Sequence, residues 1–498
     1  MKDIILFNLK QNSRAQFTHI VLLLLGFSLL TFNQVNAQST VEERIRAVEN
    51  GLTENIIFGE SKPMNVFDQM KRYKVNGLSI GVIKNYKVDF VKGYGLADTA
   101  LKIPVTDKTL FQAASISKSL NGLAIVKLFR DRKLDLYADI NTYLKSWKFP
   151  YDSVAQGKKI NMASLLSHTA GLSVSGFAGY EKGKPIPSVI QVLNGQKPAN
   201  SDPVRSRFAP GTREQYSGGG ITIAQQVLTD ITGLPYEKFL AEQVLKPMGM
   251  NSSTFAQPPV GVKKHLLATG YSVEGREVPG KYHVYPEQAA AGLWTNPTDL
   301  AKYIIETQLS YAGTSAKVLD QESTKLRLTP YLNSAGSALG VFIEDYNGVK
   351  YFGHGAGNEG FRGGYYGSME GGNGLIIMLN SDNGEIIQEV INSIAKVYGF
   401  TGLNKTRKVT LADVPDQQLD TYLGRFQLTP ELVLTVTREG KRIFIQATGQ
   451  DKIEAYAESN NKFFFKTIQA TMEFVRDEQG AVSEMIFIQG QTIRAKRL

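Results

Sequence analysis

The sequence predicts an α+β domain followed by a small all-β domain, on three observations. An alternating hairpin stands near the start, helical spacing dominates the middle, and strand-like runs return and then repeat in short pieces to the end. The hairpin covers Asn76 to Tyr94: Gly77 to Ile83 alternates, Lys84-Asn85-Tyr86-Lys87 turns, and Val88-Asp89-Phe90-Val91 returns. Helical spacing follows over 115–132, 160–167 and 221–245. Between Ser173 and Thr212, five prolines and little periodicity predict a functional loop that covers the site. Leu300 to Gln308 is again helical, and Ala338 to Phe352 and Gly374 to Asn380 read as strands.

After Gly399 to Asn404 the pattern changes. Short strands are predicted at Leu432–Val436, Arg442–Ala447, Phe463–Lys466, Thr471–Val475 and Met485–Ile488, with turns at Glu439-Gly440 and Gln479-Gly480. The expected organisation is a leader over 1–37, a main domain over 38–402, and a β-barrel over 410–498 without a catalytic constellation.

The leader carries Lys2, Lys10 and Arg14, an apolar run from Ile20 to Phe32, and Val35-Asn36-Ala37 before Gln38, the pattern of a secretory signal. An exported protein, periplasmic or secreted, is the expectation, with no stable membrane span after cleavage; a retained signal-anchor is the alternative. At 498 residues, 42% hydrophobic and 20% charged, the chain has room for a large core. Its net charge of +10 suits contact with anionic wall polymers or lipid, and its dispersal without a Lys/Arg block argues against a nucleic-acid site. Zero cysteines exclude disulfides, thiolate metal sites and a cysteine nucleophile. Of five histidines, His19 lies in the leader, and His168, His265, His283 and His354 show no paired metal spacing. No metal and no organic cofactor is expected.

Ser115-Ile116-Ser117-Lys118 puts a hydroxyl and an amine one helical turn apart at a helix start. A serine hydroxyl is inert until a neighbouring base takes its proton. Lysine serves as that base only when neutral, and burial depresses its pKa by up to about three to five units. The same spacing recurs at Ser393–Lys396 and Ser459–Lys462, so the motif needs partners. One is Tyr216, just before Ser217-Gly218-Gly219-Gly220 and a helix: a phenol with a lowered pKa beside a lysine can act first as base, then as acid toward a leaving group. Another is Tyr351-Phe352-Gly353-His354-Gly355-Ala356-Gly357, a strand ending in small residues that let a substrate backbone approach.

Ser-x-x-Lys, Tyr-Ser-Gly and His-Gly-Ala in this order resemble the serine β-lactamase and penicillin-binding protein superfamily, nearest its class C β-lactamase, esterase and D-aminopeptidase branch. Leu165 to Leu172, Pro210-Gly211-Thr212, Leu245 to Met250 and Ala290 to Thr295 are similar to that family too, and 419–498 resemble the β-barrel often appended to such hydrolases. The resemblance covers 41–400. It implies an antiparallel sheet flanked by helices with a mostly helical subdomain, Ser115 as acyl-enzyme nucleophile, and Lys118 and Tyr216 as its proton-transfer pair. His354, Gly355 and Ala356 then stand where Lys-Thr-Gly is more usual, and the backbone N–H groups of Ser115 and Gly357 form the oxyanion hole.

Gly218 occupies the place of an asparagine that binds the acylamide in members that hydrolyse β-lactams, which weighs against that use. Ala356 replaces a glycine, and its methyl is expected to restrict an acyl chain along the strand. His354 removes a cation that would hold a substrate carboxylate. The expected activity is hydrolysis of amides or esters, with D-amino-acid peptides first, small esters second and β-lactams last. The alternative is a penicillin- or wall-binding protein that acylates without efficient turnover. Three lookalikes fall away: Gly77 to Gly81 lacks the strand-turn-helix of a nucleophile elbow, Gly355 to Gly360 opens no helix, and Ser381-Asp382-Asn383 reads as a turn after a strand.

Overall fold

The hairpin forms as β1 (Gly77–Lys84) and β2 (Lys87–Asp98). Asn85 and Tyr86 turn it with φ of 52° and 62°, the mirror-image turn whose twist matches that of paired strands. The computed structural model describes residues 39–57 and 62–498 except 333, 431, 467, 469 and 490, so the leader expected over 1–37 lies outside the described residues. Residues 47–498 fold as one unit.

The hairpin is part of a seven-stranded antiparallel sheet. Its other members are β3 (Ile103–Pro104), β4 (Phe342–Tyr346), β5 (Val349–Asn358), β6 (Phe361–Ser368) and β7 (Gly374–Leu379), in the order β3-β2-β1-β7-β6-β5-β4. β7 is buried along its whole length, as its unbroken apolar sequence demands at the centre of a covered sheet. The sequence hid β6 behind Gly363, Gly364 and Gly367. Two of those glycines answer to packing: a Cβ on Gly363 would lie 2.5 Å from the carbonyl oxygen of Ile377 on β7, and one on Gly367 2.6 Å from the Phe352 ring.

The helical part centres on α1 (Ser117–Asp131), buried on nearly every side. Around it stand α2 (Met162–Leu166), α3 (Gly218–Thr232), α4 (Gln288–Ala291), α5 (Pro297–Tyr311) and α6 (Gln321–Arg327), and α7 (Ile386–Tyr398) follows the sheet. The single helix expected over 221–245 is broken. Gly233, at φ 69°, caps α3 in the left-handed region, and Pro235 then starts a new helix at Tyr236. The proline-rich stretch after Ser173 holds a short strand, Tyr180–Glu181, and a helix, Val189–Asn194.

The C-terminal part is a closed barrel of eight strands, β8 (Gly424–Thr429), β9 (Leu432–Glu439), β10 (Arg442–Ala447), β11 (Ile453–Ala457), β12 (Lys462–Phe465), β13 (Thr471–Arg476), β14 (Val482–Gln489) and β15 (Gln491–Arg497). Pairing of Phe426 with Arg497 closes it, so no sheet edge remains exposed. Tyr422 stacks on Phe474 at 4.2 Å between ring centres within its separate apolar core. A parallel pairing of Ile56 with Arg407 and an Arg407–Glu458 ion pair of 2.5 Å join the barrel to the main domain.

Candidate active site

Ser115 is presented by a strained turn. Ala114 takes φ 45°, a conformation that alanine adopts at a cost of about 1–2 kcal/mol. Neighbouring chain holds it there: Phe111 pairs with Thr295, Gln112 with Trp294, and the Ala113 N–H donates to the Leu293 carbonyl at 2.8 Å. The Ser117 hydroxyl accepts from the Leu293 N–H at 2.9 Å, fixing the first residue of α1 to the same segment. Ser115 therefore stands just before the helix, and the Lys118 N–H donates to its carbonyl at 3.1 Å.

That turn brings the two side chains together. Lys118 Nζ lies 2.9 Å from Ser115 Oγ and donates to the Ala290 carbonyl, on α4, at 2.7 Å. Lys118 is 2% exposed, and burial pushes its pKa down to about 7, because desolvation disfavours the ammonium. Ser115 itself is half-buried, within reach of a substrate.

Tyr216 arrives from the start of α3, with its hydroxyl donating to Ser115 Oγ at 3.0 Å. His168, itself at φ 60°, clamps this segment from both sides: its carbonyl accepts from the Gln215 N–H at 2.7 Å, and its Nδ1 from the Ser217 N–H at 3.2 Å. Its ring centre lies 4.2 Å from that of Tyr216. The phenol expected to have a lowered pKa is instead pushed up to about 12, because burial penalises the phenolate more than the hydrogen bond to Ser115 favours it. Lys118 Nζ lies 5.1 Å from the Tyr216 ring centre, so the two polar groups meet at Ser115 Oγ.

Along β5, His354 is buried, and Gly355 and Gly357 are exposed. A Cβ on Gly355 would meet no atom within 4 Å. Ala356, expected to restrict an acyl chain, is half-buried and packs its methyl against the central apolar cluster. Asn358 ties the end of the strand to the nucleophile's surroundings, donating to Gln112 Oε1 at 3.0 Å and to the Ala291 carbonyl at 3.1 Å. Burial, followed by the nearby Lys118 charge, pushes the His354 pKa down to about 3, so its ring is neutral.

Gly218 is enclosed. Its N–H donates to the Ser175 carbonyl at 3.0 Å, and a Cβ there would lie 3.1 Å from both the Phe177 ring and the Ser175 oxygen. The loop after Ser173 thus fills the space that a side chain at 218 would need. The Ala290 carbonyl, His168, Phe177, Phe342 and Asn358 were not singled out from the sequence. His168 and Ala290 sit in segments already noted as family-like, whereas nothing local marks Phe177 or Phe342.

The β-lactamase family model matches residues 65–393, and the chain belongs to that family, within the serine β-lactamase and penicillin-binding protein superfamily. Residues 410–497 match a domain of unknown function, DUF3471. Protein flp of Staphylococcus aureus strain N315 is 27% identical over 209 residues, 41% of this chain and 40% of that protein. The chain thus spans less than half the length of that relative. A β-lactamase of Pseudomonas fluorescens is 29% identical over 241 residues, 47% of this chain and 60% of that enzyme.

Solved structures share the fold. The octameric penicillin-binding protein homologue from Pyrococcus abyssi superposes with a TM-score of 0.59 at 22% identity, covering 86% of this chain and 98% of its own. SurE, solved with D-Leu, gives 0.54 at 19%, covering 87% and 97%.

Proposed function

We propose that this protein is an exported serine hydrolase that forms an acyl-enzyme on Ser115 and releases it to water. The observation that carries the reading is the meeting of Lys118 Nζ and the Tyr216 hydroxyl at Ser115 Oγ, at 2.9 and 3.0 Å, with the lysine buried. Neutral Lys118 takes the Ser115 proton as the oxygen attacks a carbonyl. Tyr216, a protonated phenol at rest, gives its proton to the leaving atom and is recharged from Lys118, which returns the lysine to neutrality. The N–H groups of Ser115 and Gly357 stabilise the oxyanion. Lys118 rather than Tyr216 is the resting base in this scheme.

Amides and esters are the substrates, with D-amino-acid peptides first; the D-Leu in the SurE structure supports trying them. The filled space at Gly218 argues against β-lactams as the principal use. Labelling of wild type and Ser115→Ala with a fluorophosphonate and with penicillin, followed by a screen of D-peptides, esters and cephalosporins, tests the reading. Turnover of a D-peptide or ester supports it. An acyl-enzyme that accumulates without release supports a penicillin- or wall-binding protein. Export is tested by the N-terminal sequence of the protein recovered outside the cytoplasm, expected to begin at Gln38.

A further inference from the structure

His168 reaches Tyr216 from a turn that few residues accept. α2 gives way at Ser167, and His168 then takes φ 60°, in the left-handed region where asparagine, aspartate and histidine are the most frequent residues besides glycine. Hydrogen bonds lock that turn on both flanks. The Thr169 and Ala170 N–H groups donate to the Ser164 carbonyl at 2.9 and 3.1 Å, and the Gly211 N–H donates to the Thr169 carbonyl at 2.8 Å. The Ser167 hydroxyl donates to the Ala163 carbonyl at 2.8 Å, and Ser167, His168 and Thr169 are all buried.

The turn lets one residue hold both neighbours of the phenol. The peptide N–H groups on either side of Tyr216, those of Gln215 and Ser217, both end on His168, the first on its carbonyl and the second on its Nδ1. An N–H donor sets the tautomer: Nδ1 accepts, so it carries no proton, and the neutral ring has its proton on Nε2. Burial, followed by the Lys118 and His354 charges, pushes the His168 pKa well below its ordinary value, so the ring stays neutral. Ser217 is fixed further, its hydroxyl accepting from the Gly220 N–H at 2.9 Å at the start of α3 and donating to the Ser173 carbonyl at 2.7 Å. Phe342 backs the imidazole at 6.2 Å between ring centres, and the imidazole in turn backs the Tyr216 ring. The side chain that projects from between these anchored residues ends on Ser115 Oγ.

We propose that His168 is the positioning residue of the proton path: its unprotonated Nδ1, bonded to the Ser217 N–H, holds the Tyr216 hydroxyl on Ser115 Oγ, so that His168 acts on the reaction only through Tyr216. The proposal rests on the acyl-enzyme reading of Ser115. The acceptor and the ring of His168 are separable. Asparagine places its Oδ1 where histidine has Nδ1 and shares its tolerance of left-handed backbone, so it keeps the acceptor and loses the ring. Phenylalanine keeps a ring and sets a C–H against the Ser217 N–H, leaving that buried donor unpaired.

The test follows acylation of Ser115 in the full chain, by mass spectrometry, from the 4-nitroanilide and the 4-nitrophenyl ester of one D-amino acid. The anilide nitrogen needs a proton to leave, and the nitrophenolate does not. His168→Phe should slow the anilide about tenfold more than the ester, whereas His168→Asn should keep the anilide-to-ester ratio within about threefold of wild type. In a Tyr216→Phe background, His168→Phe should move that ratio less than about twofold, because the hydroxyl it positions is gone. An equal loss on both substrates, an asparagine variant no better than phenylalanine, or the same change of ratio with and without the Tyr216 hydroxyl overturns the proposal. Should His168→Phe not fold, 15N NMR of the wild-type histidines at pH 6 and pH 8 decides: a neutral His168 with its proton on Nε2 is expected, and a proton on Nδ1 overturns the proposal. Absence of Ser115 acylation in wild type overturns the reading beneath it, whatever the state of His168.

Discussion

The Lys118 amine donates to the Ala290 carbonyl at 2.7 Å while standing 2.9 Å from Ser115 Oγ. A neutral amine has one lone pair, and a donor bond that fixes the nitrogen turns that lone pair toward the serine. The orientation comes from a backbone oxygen on a four-residue helix, and among the described residues no carboxylate is bound to the lysine to hold the proton on it.

Activity should therefore follow the ionisation of Lys118. Burial holds it at about 7, so kcat/KM should fall about tenfold per unit below that pH as the lysine protonates, and level off above it. His354 contributes no limb, since it stays neutral down to about 3. Lys118→Arg, a permanent cation, should lose about 10²–10⁴-fold in kcat. A pH–rate profile rising only near pH 10 would mean that Lys118 is not tuned as described.

Tyr216→Phe keeps the ring against His168 and deletes the hydroxyl at Ser115 Oγ. The expected outcome is a normal thermal midpoint with kcat lower by about 10²–10³-fold. The loss should be largest for amides, whose leaving nitrogen needs a proton, and smallest for esters of acidic phenols. An equal loss across both would place Tyr216 outside the proton path.

Restoring an asparagine at 218 should not restore what a β-lactamase gains from it. The new Cβ would lie 3.1 Å from the Phe177 ring and the Ser175 oxygen, so Gly218→Asn should destabilise by about 1–3 kcal/mol. Cephalosporin hydrolysis should not rise. Thermal melts and a nitrocefin assay check this, and an unshifted melt with a tenfold gain in hydrolysis would contradict it.

Glu287 shapes stability against pH. Its side chain is fully buried with neither carboxylate oxygen hydrogen-bonded among the described residues, and burial pushes its pKa up to about 8. The folded state thus keeps a proton that the unfolded chain releases above 4.5. This contribution is full below that pH and declines as pH rises toward about 8, with a slope of up to ~1.4 kcal/mol per pH unit. Glu287→Gln should flatten the denaturation midpoint over that window. An unchanged slope would show that the carboxyl has a partner in solution.

Much of this molecule is legible in its residues because the signals are local. Alternation and an Asn85-Tyr86 turn specify the hairpin, and the spacing of Ser115 and Lys118 survives a two-residue shift of the helix start, since residues three apart meet in the tighter turn as well. What escaped depends on contacts distant in sequence. β6 carries Gly363 because β7 crowds it and Gly367 because Phe352 and Ile304 do, which reads as loop until the partners are known. The Tyr216 pKa follows from burial by elements far along the chain, and Gly218 is small because Phe177 occupies its side-chain space.

The most direct measurement is peptide mapping by mass spectrometry after fluorophosphonate treatment at pH 6 and pH 8. The account predicts a single adduct on Ser115, formed faster at pH 8 and absent from Ser115→Ala. An adduct on another serine, or labelling that persists in Ser115→Ala, would contradict it.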